Sequence, residues 1–224
     1  MMTIDKPHLG ENALQLIRQD IITCSLLPGS QISEAQLASR YGIGKAPVRY
    51  ALAQLNQSGL IKALPRRGYL ITNISLGDVV QLYDLRAIIE PATARLAAGR
   101  IDTAYLQRLD QIYADETADE EALIAANREI HAAIAVATGN KYLEEITITM
   151  LDRMERILRY AWFERRRTGR TFQGHRDLIE AIGGNEPERA VELAAAHVEE
   201  GRRVVLGGLT QGDANKDIKL TRII

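Results

Sequence analysis

The chain has 224 residues, of which 46% are hydrophobic and 25% charged, the composition of an ordinary globular protein with room for one large domain or two smaller ones. No apolar run approaches the length of a membrane span, the N-terminus MMTIDKPHLG lacks the basic-then-apolar pattern of a secretory signal, and a cytosolic location without membrane contact is expected. The single cysteine, Cys24, cannot close an internal disulfide and excludes the Cys-rich zinc modules, so core packing is its expected role. The net charge of -1 conceals an asymmetry: residues 1–75 carry eight Lys/Arg against four acids, and the remainder carries the acidic excess. A basic small unit on an acidic larger one suits a polyanion-binding head on a separate body.

In chain order, Asn12 to Leu26 has helical spacing of Leu14, Ile17, Ile21 and Ile22 and stops at Pro28-Gly29. Ser33 precedes EAQLASRYG, with Gln36 placed as in a capping box and Gly42 at the C-cap, which predicts a short second helix. KAPVRYALAQLNQSG then places Pro47 in a first turn and Val48, Leu52 and Leu55 on one face, a third helix ending at Gly59. From Leu60 the period shortens to alternation on either side of Pro65-Arg66-Arg67-Gly68, the pattern of a β-hairpin with a basic tip. Beyond it the pattern is helical, near 76–98, 102–116, 119–137, 141–166, 173–183 and 186–206, with Gly and Pro punctuation between segments. The fold class expected is mainly α: a winged helix-turn-helix over 1–73, an antiparallel helical bundle over 74–207, and an unassigned tail over 208–224.

The stretch YGIGKAPVRYAL allows two chemistries. A phosphate loop requires a first glycine where Ser39 stands, a hydroxyl where Ala46 stands and a strand where a helix is predicted, so the segment fails that motif in three ways. As a helix-turn-helix every feature is used: helix two ends at Gly42, Ile43 turns inward, Gly44 precedes helix three, and Lys45 and Arg49 share the face that enters a major groove. A solvated helix beside a basic turn fits the same spacing.

The run from Leu26 to Thr72 resembles the winged head of GntR-family bacterial transcription factors, through Pro28-Gly29, Ser33-Glu34, Leu37-Ala38, Gly42, Pro47-Val48-Arg49, Ala51-Leu52, Leu55, Gly59-Leu60 and Gly68. The resemblance implies a DNA interface at Ser33, Gly44, Lys45, Ala46, Arg49, Arg66, Arg67 and Gly68, and a homodimer on a pseudo-palindromic operator. Two departures lie at the turn, where the usual Ser-Arg is Gly44-Lys45 and the usual Thr is Ala46. Lysine keeps the charge but not the bidentate fork that reads guanine, so phosphate contact is the expectation at position 45.

Three of the four histidines lie in the helical part: His131, His175 and His197. Asn127 and His131 emerge on one helical face and could share a ligand; core histidines satisfying a hydrogen bond fit the same pattern. LYDLRAIIEPATARLAA, NREIHAAIAVATGNKYL and the later histidines resemble the FCD-type ligand-binding domain of the FadR subfamily. That resemblance implies a divalent metal, zinc or similar, held by Asn127, His131, His175 and His197, with Asn127 standing where an aspartate is usual. It also implies a small anionic metabolite as effector, with Arg86 pairing its carboxylate; an ordinary Arg86–Glu90 surface ion pair is the alternative. The functional expectation is a repressor released by a small carboxylate. The rivals are a metal-dependent hydrolase, for which no HExxH motif exists and Glu129 points away from His131, and a dimeric DNA-binding protein without effector.

Overall fold

The computed structural model describes residues 6–115, 117–165 and 174–211. The chain divides into two compact units, Met1–Ile74 and Ser75–Ile224.

The first unit contains α1 (Lys6–Ile22), β1 (Gln31–Ile32), α2 (Glu34–Tyr41), α3 (Lys45–Gln57), β2 (Ile61–Leu64) and β3 (Gly68–Ile71). The N-cap of α2 forms as its sequence predicts, Ser33 accepting the Gln36 amide at 3.3 Å and donating to its side-chain oxygen at 2.8 Å. Gly42 closes the helix at φ 65°, a left-handed position where other residues strain. Gly44 N-caps α3 without a side-chain bond, the direct cost of having glycine there. Ile17 and Ile21 of α1, Leu37 of α2 and Val48, Leu52 and Leu55 of α3 form the core, with Ile61 and Ile71 closing it from the sheet.

Three details of the sequence reading are corrected. α1 spans Lys6–Ile22 rather than Asn12–Leu26, because the Leu26 amide turns back to the Asp20 carbonyl at 2.8 Å and ends the helix early. Cys24 is half-buried in that turn at φ 58°, outside the core. The hairpin gains a third strand: β1 pairs antiparallel with β3, Gln31 opposite Leu70 and Ile32 opposite Tyr69, in the order β1-β3-β2. A strand of two residues has no alternation to read, and only its pairing creates it.

The second unit contains α4 (Leu76–Ala97), α5 (Thr103–Ala114), α6 (Glu120–Ala137), α7 (Lys141–Arg165), α8 (Arg176–Gly183) and α9 (Pro187–Gln211). A Ser75–Asp78 capping box starts α4. Ala94, Ala97, Leu106, Ile130, Ile134, Leu178, Ile179 and Ala194 pack α4, α5, α6, α8 and α9 together, small residues letting the helix axes approach. α8 begins at Arg176, with His175 as its N-cap, and α9 runs on to Gln211 past the expected end at 206. Of the tail, 212–224 lie outside the described residues. Among those described, no helix is long and apolar enough to cross a membrane.

Candidate functional site

Two surfaces carry chemistry, one in each unit. In the first, Gly44, Lys45, Ala46 and Arg49 are exposed along the start of α3, and Arg66 and Arg67 are exposed at the hairpin tip. Gly68, at φ 83°, cannot be replaced freely: a Cβ there would come within 2.4 Å of the Ile32 carbonyl oxygen. Arg49 is held by Glu34, its Nε donating to Oε1 at 3.0 Å and its Nη2 to Oε2 at 2.9 Å. The hydrogen bonds from Arg49 hold the Glu34 carboxyl below the usual carboxylate range. The Arg49 guanidinium plane is therefore oriented before any nucleic acid arrives.

In the second unit α6, α8 and α9 bring three histidines to one point. The ring centroids of His131, His175 and His197 lie 4.4 to 5.2 Å apart, and one ring nitrogen from each falls within 4.8 Å of the others. His175 Nε2 is 3.2 Å from His131 Nε2. Tetrahedral zinc with Zn–N bonds of about 2.0–2.1 Å separates its ligand atoms by about 3.3 Å, so this pair already has the edge length of such a site. Burial, before any neighbouring charge, pushes the His131 and His175 pKa values well down and that of His197 down to about 3. All three rings are accordingly neutral at physiological pH, the form whose lone pair a metal takes. On these grounds the residues fit a divalent ion.

Around the trio the structure adds a residue the sequence did not mark, Asp110, and gives Glu90 a role beyond its pairing with Arg86. Glu90 of α4 places Oε2 3.5 Å from His131 Nδ1, which turns the Nε2 atom toward the other rings. Asp110 of α5, only 6% exposed, accepts the His175 amide at 2.5 Å. Arg86 is neither a surface residue nor half of a surface pair: it is 3% exposed and donates to Glu90 at 2.5 and 3.3 Å, in the interior. Glu129 points outward and accepts the Tyr105 hydroxyl at 3.0 Å.

A cavity of about 560 Å³ opens on this cluster, its walls including Tyr83, Arg86, Asn127, His175, His197 and Gly201. Its size suits a small metabolite. Asn127 thus faces the cavity, one helical turn before His131, and offers a neutral oxygen where a carboxylate would add a negative charge. No sequence signal beyond residue type marks Asp110 or Gly201, or the contact of Glu90 with His131, because each acts on a residue far away in the chain.

Residues 81–200 match the family described as the FCD domain, and residues 9–71 match the bacterial regulatory proteins of the gntR family. The HTH-type transcriptional regulator YdhC of Bacillus subtilis (strain 168) is 28% identical over 189 residues, covering 81% of this chain and 84% of that protein. The HTH-type transcriptional repressor GlaR of Escherichia coli (strain K12) is 26% identical over 199 residues, covering 81% and 89%. The repressor RspR of the same strain is 33% identical over 103 residues, 46% of this chain and 45% of that one. Among solved structures, E. coli McbR/YncC aligns with a TM-score of 0.75 at 19% identity, covering 92% of this chain and 99% of that chain, a likeness of fold.

Proposed function

We propose, for a chain that belongs to the gntR family of bacterial regulatory proteins and carries their FCD domain, a repressor of metabolic genes that a small carboxylate releases from its operator. That it is a ligand-responsive, DNA-binding transcriptional regulator rather than an enzyme follows from the family. The carboxylate reading is carried by one observation: three neutral imidazoles converge beside a cavity, with His175 and His197 in its wall. His131, His175 and His197 would hold a divalent ion, with Asn127 beside them. Once bound, such an ion offers an open position to an anionic oxygen. Without an aspartate among its ligands the site keeps more of the ion's positive charge, which favours an anionic effector.

The head acts as one of a pair. A single winged head touches too little DNA for specific affinity, so a homodimer on two half-sites is part of the reading, and the protein works in the cytoplasm beside the chromosome. Effector binding favours a spacing of the heads that does not fit the operator, and the population shifts to the free form. Lys45, Arg66 and Arg67 contact phosphates in this scheme, Ser33, Gly44, Ala46 and Gly68 let the backbone approach, and Arg49 reaches base or phosphate.

Elemental analysis of the purified protein tests the site. Near-stoichiometric zinc or a similar ion is expected, lost in His131→Ala while operator binding persists. A protein free of metal both before and after incubation with zinc would remove the ion and leave a metal-free pocket.

A further inference from the structure

Tyr83 lies on α4 at 0% exposure; Arg86 interacts as a donor with its buried hydroxyl oxygen, and no acceptor for the phenolic proton is found among the described residues. Its charged neighbours make this more telling. The guanidinium carbon of Arg86 is 5.0 Å from the centroid of the Tyr83 ring and that of Arg202 is 6.0 Å from it. Guanidinium groups donate and never accept, so neither can take the phenolic proton. Burial above all pushes the phenol up to about 12, and the proton stays in place at neutral pH. A donor is thus kept, desolvated, where the described residues supply no acceptor, an arrangement native proteins seldom leave unmet.

The cavity reaches the Tyr83 side chain, whose hydroxyl is itself covered. Gly201 of α9 faces the hydroxyl: a Cβ there would lie 3.3 Å from the Tyr83 oxygen and 3.8 Å from Arg86 Nη1, so any side chain would crowd both groups. Gly201 follows His197 by one helical turn, which puts the hydroxyl about 6 Å along α9 from the histidines. Tyr83, Gly201 and His197 line one and the same cavity. Arg86 lines the same cavity, its Nε and Nη2 occupied by Glu90.

We propose that the Tyr83 hydroxyl binds the far end of the effector, which is a two-ended acid: one carboxylate sits at the histidines and a second acceptor oxygen takes the Tyr83 proton. The proposal rests on the histidine cavity being the effector site. An acid with only an alkyl tail leaves the Tyr83 donor unmet, whereas a second oxygen or carboxylate accepts its proton. Water is the competing occupant, and it would give no preference between acids.

Tyr83→Phe removes the hydroxyl and little else. In the ligand-free protein the variant is expected to melt within about 2 °C of wild type or above it, since the phenolic proton has no internal acceptor to lose. A fall of about 5 °C or more would place the hydroxyl's partner within the fold and overturn the proposal. Succinate and butyrate are then titrated calorimetrically into the zinc-loaded proteins, the two acids having equal chain length but a different number of carboxylates. Wild type is expected to favour succinate by about tenfold, and the variant to lose most of that preference while keeping its zinc and its butyrate affinity. An equal preference in both proteins, or none in wild type, overturns the role of Tyr83. Loss of zinc in His131→Ala without any change in acid binding would instead strike at the histidine site itself, a separate result.

Discussion

At the scale of single residues, Arg49 shows how a local motif acquires a function-ready geometry. Its position on α3 follows from Pro47 and the apolar spacing of Val48 and Leu52, which could be read directly. Its orientation could not, because the Glu34 carboxylate that fixes the guanidinium lies on another helix, 15 residues earlier. Arg49→Ala is expected to cost about 1–3 kcal/mol in operator binding. If the contact is to phosphate, the salt dependence falls by about one unit of slope as well. Fold stability should change little, since the Arg49–Glu34 pair is exposed on the arginine side. Fluorescence anisotropy at several salt concentrations measures both effects, and an unchanged affinity would remove Arg49 from the interface. The histidines illustrate the converse: their spacing allows core roles equally well, and only family resemblance singled them out before their rings were seen together.

At the scale of elements, the start of α8 decides where His175 goes. The sequence predicted a helix from 173, but the helix begins at Arg176 and its N-cap is the histidine itself. What anchors this turn is Asp110 on α5, and Gly174 permits the anchor, since a Cβ there would come within 2.8 Å of Asp110 Oδ1. Asp110→Ala is therefore expected to weaken metal affinity by about 10–100-fold, and Asp110→Asn, which keeps an acceptor oxygen, to restore most of it. Competition against a calibrated chelator, with cobalt spectra to report ligand geometry, checks this; wild-type affinity in Asp110→Ala would leave the anchor without a role. β1 teaches the same lesson in the other unit. Two residues carry no period, and the strand exists only because β3 presents its edge to Gln31 and Ile32.

At the scale of the whole molecule, burying three imidazoles together makes stability depend on pH. Unfolded histidines titrate near 6.5, while the folded ones are held neutral far below that, His197 down to about 3. The unfolded state thus binds more protons through this window, so the metal-free protein keeps its full stability above about pH 6.5 and loses it as the pH falls. Urea unfolding of chelator-treated protein at pH 7.5, about 6 and about 5 should show a falling midpoint; a flat profile would mean that the rings already share protons with water. By itself the sequence determined the mainly helical class, the winged head and the existence of a helical effector unit. Those rest on caps, breakers and periodicities within a few residues of one another, where local sterics and hydrogen bonding decide. Only the tertiary structure decided what the helical unit encloses. His131 and His175 are 44 residues apart, Asp110 and His175 are 65 apart, and the Tyr83 hydroxyl opposes Gly201 across two helices. Each of these meetings depends on how helices distant in the chain pack, and no local propensity encodes that.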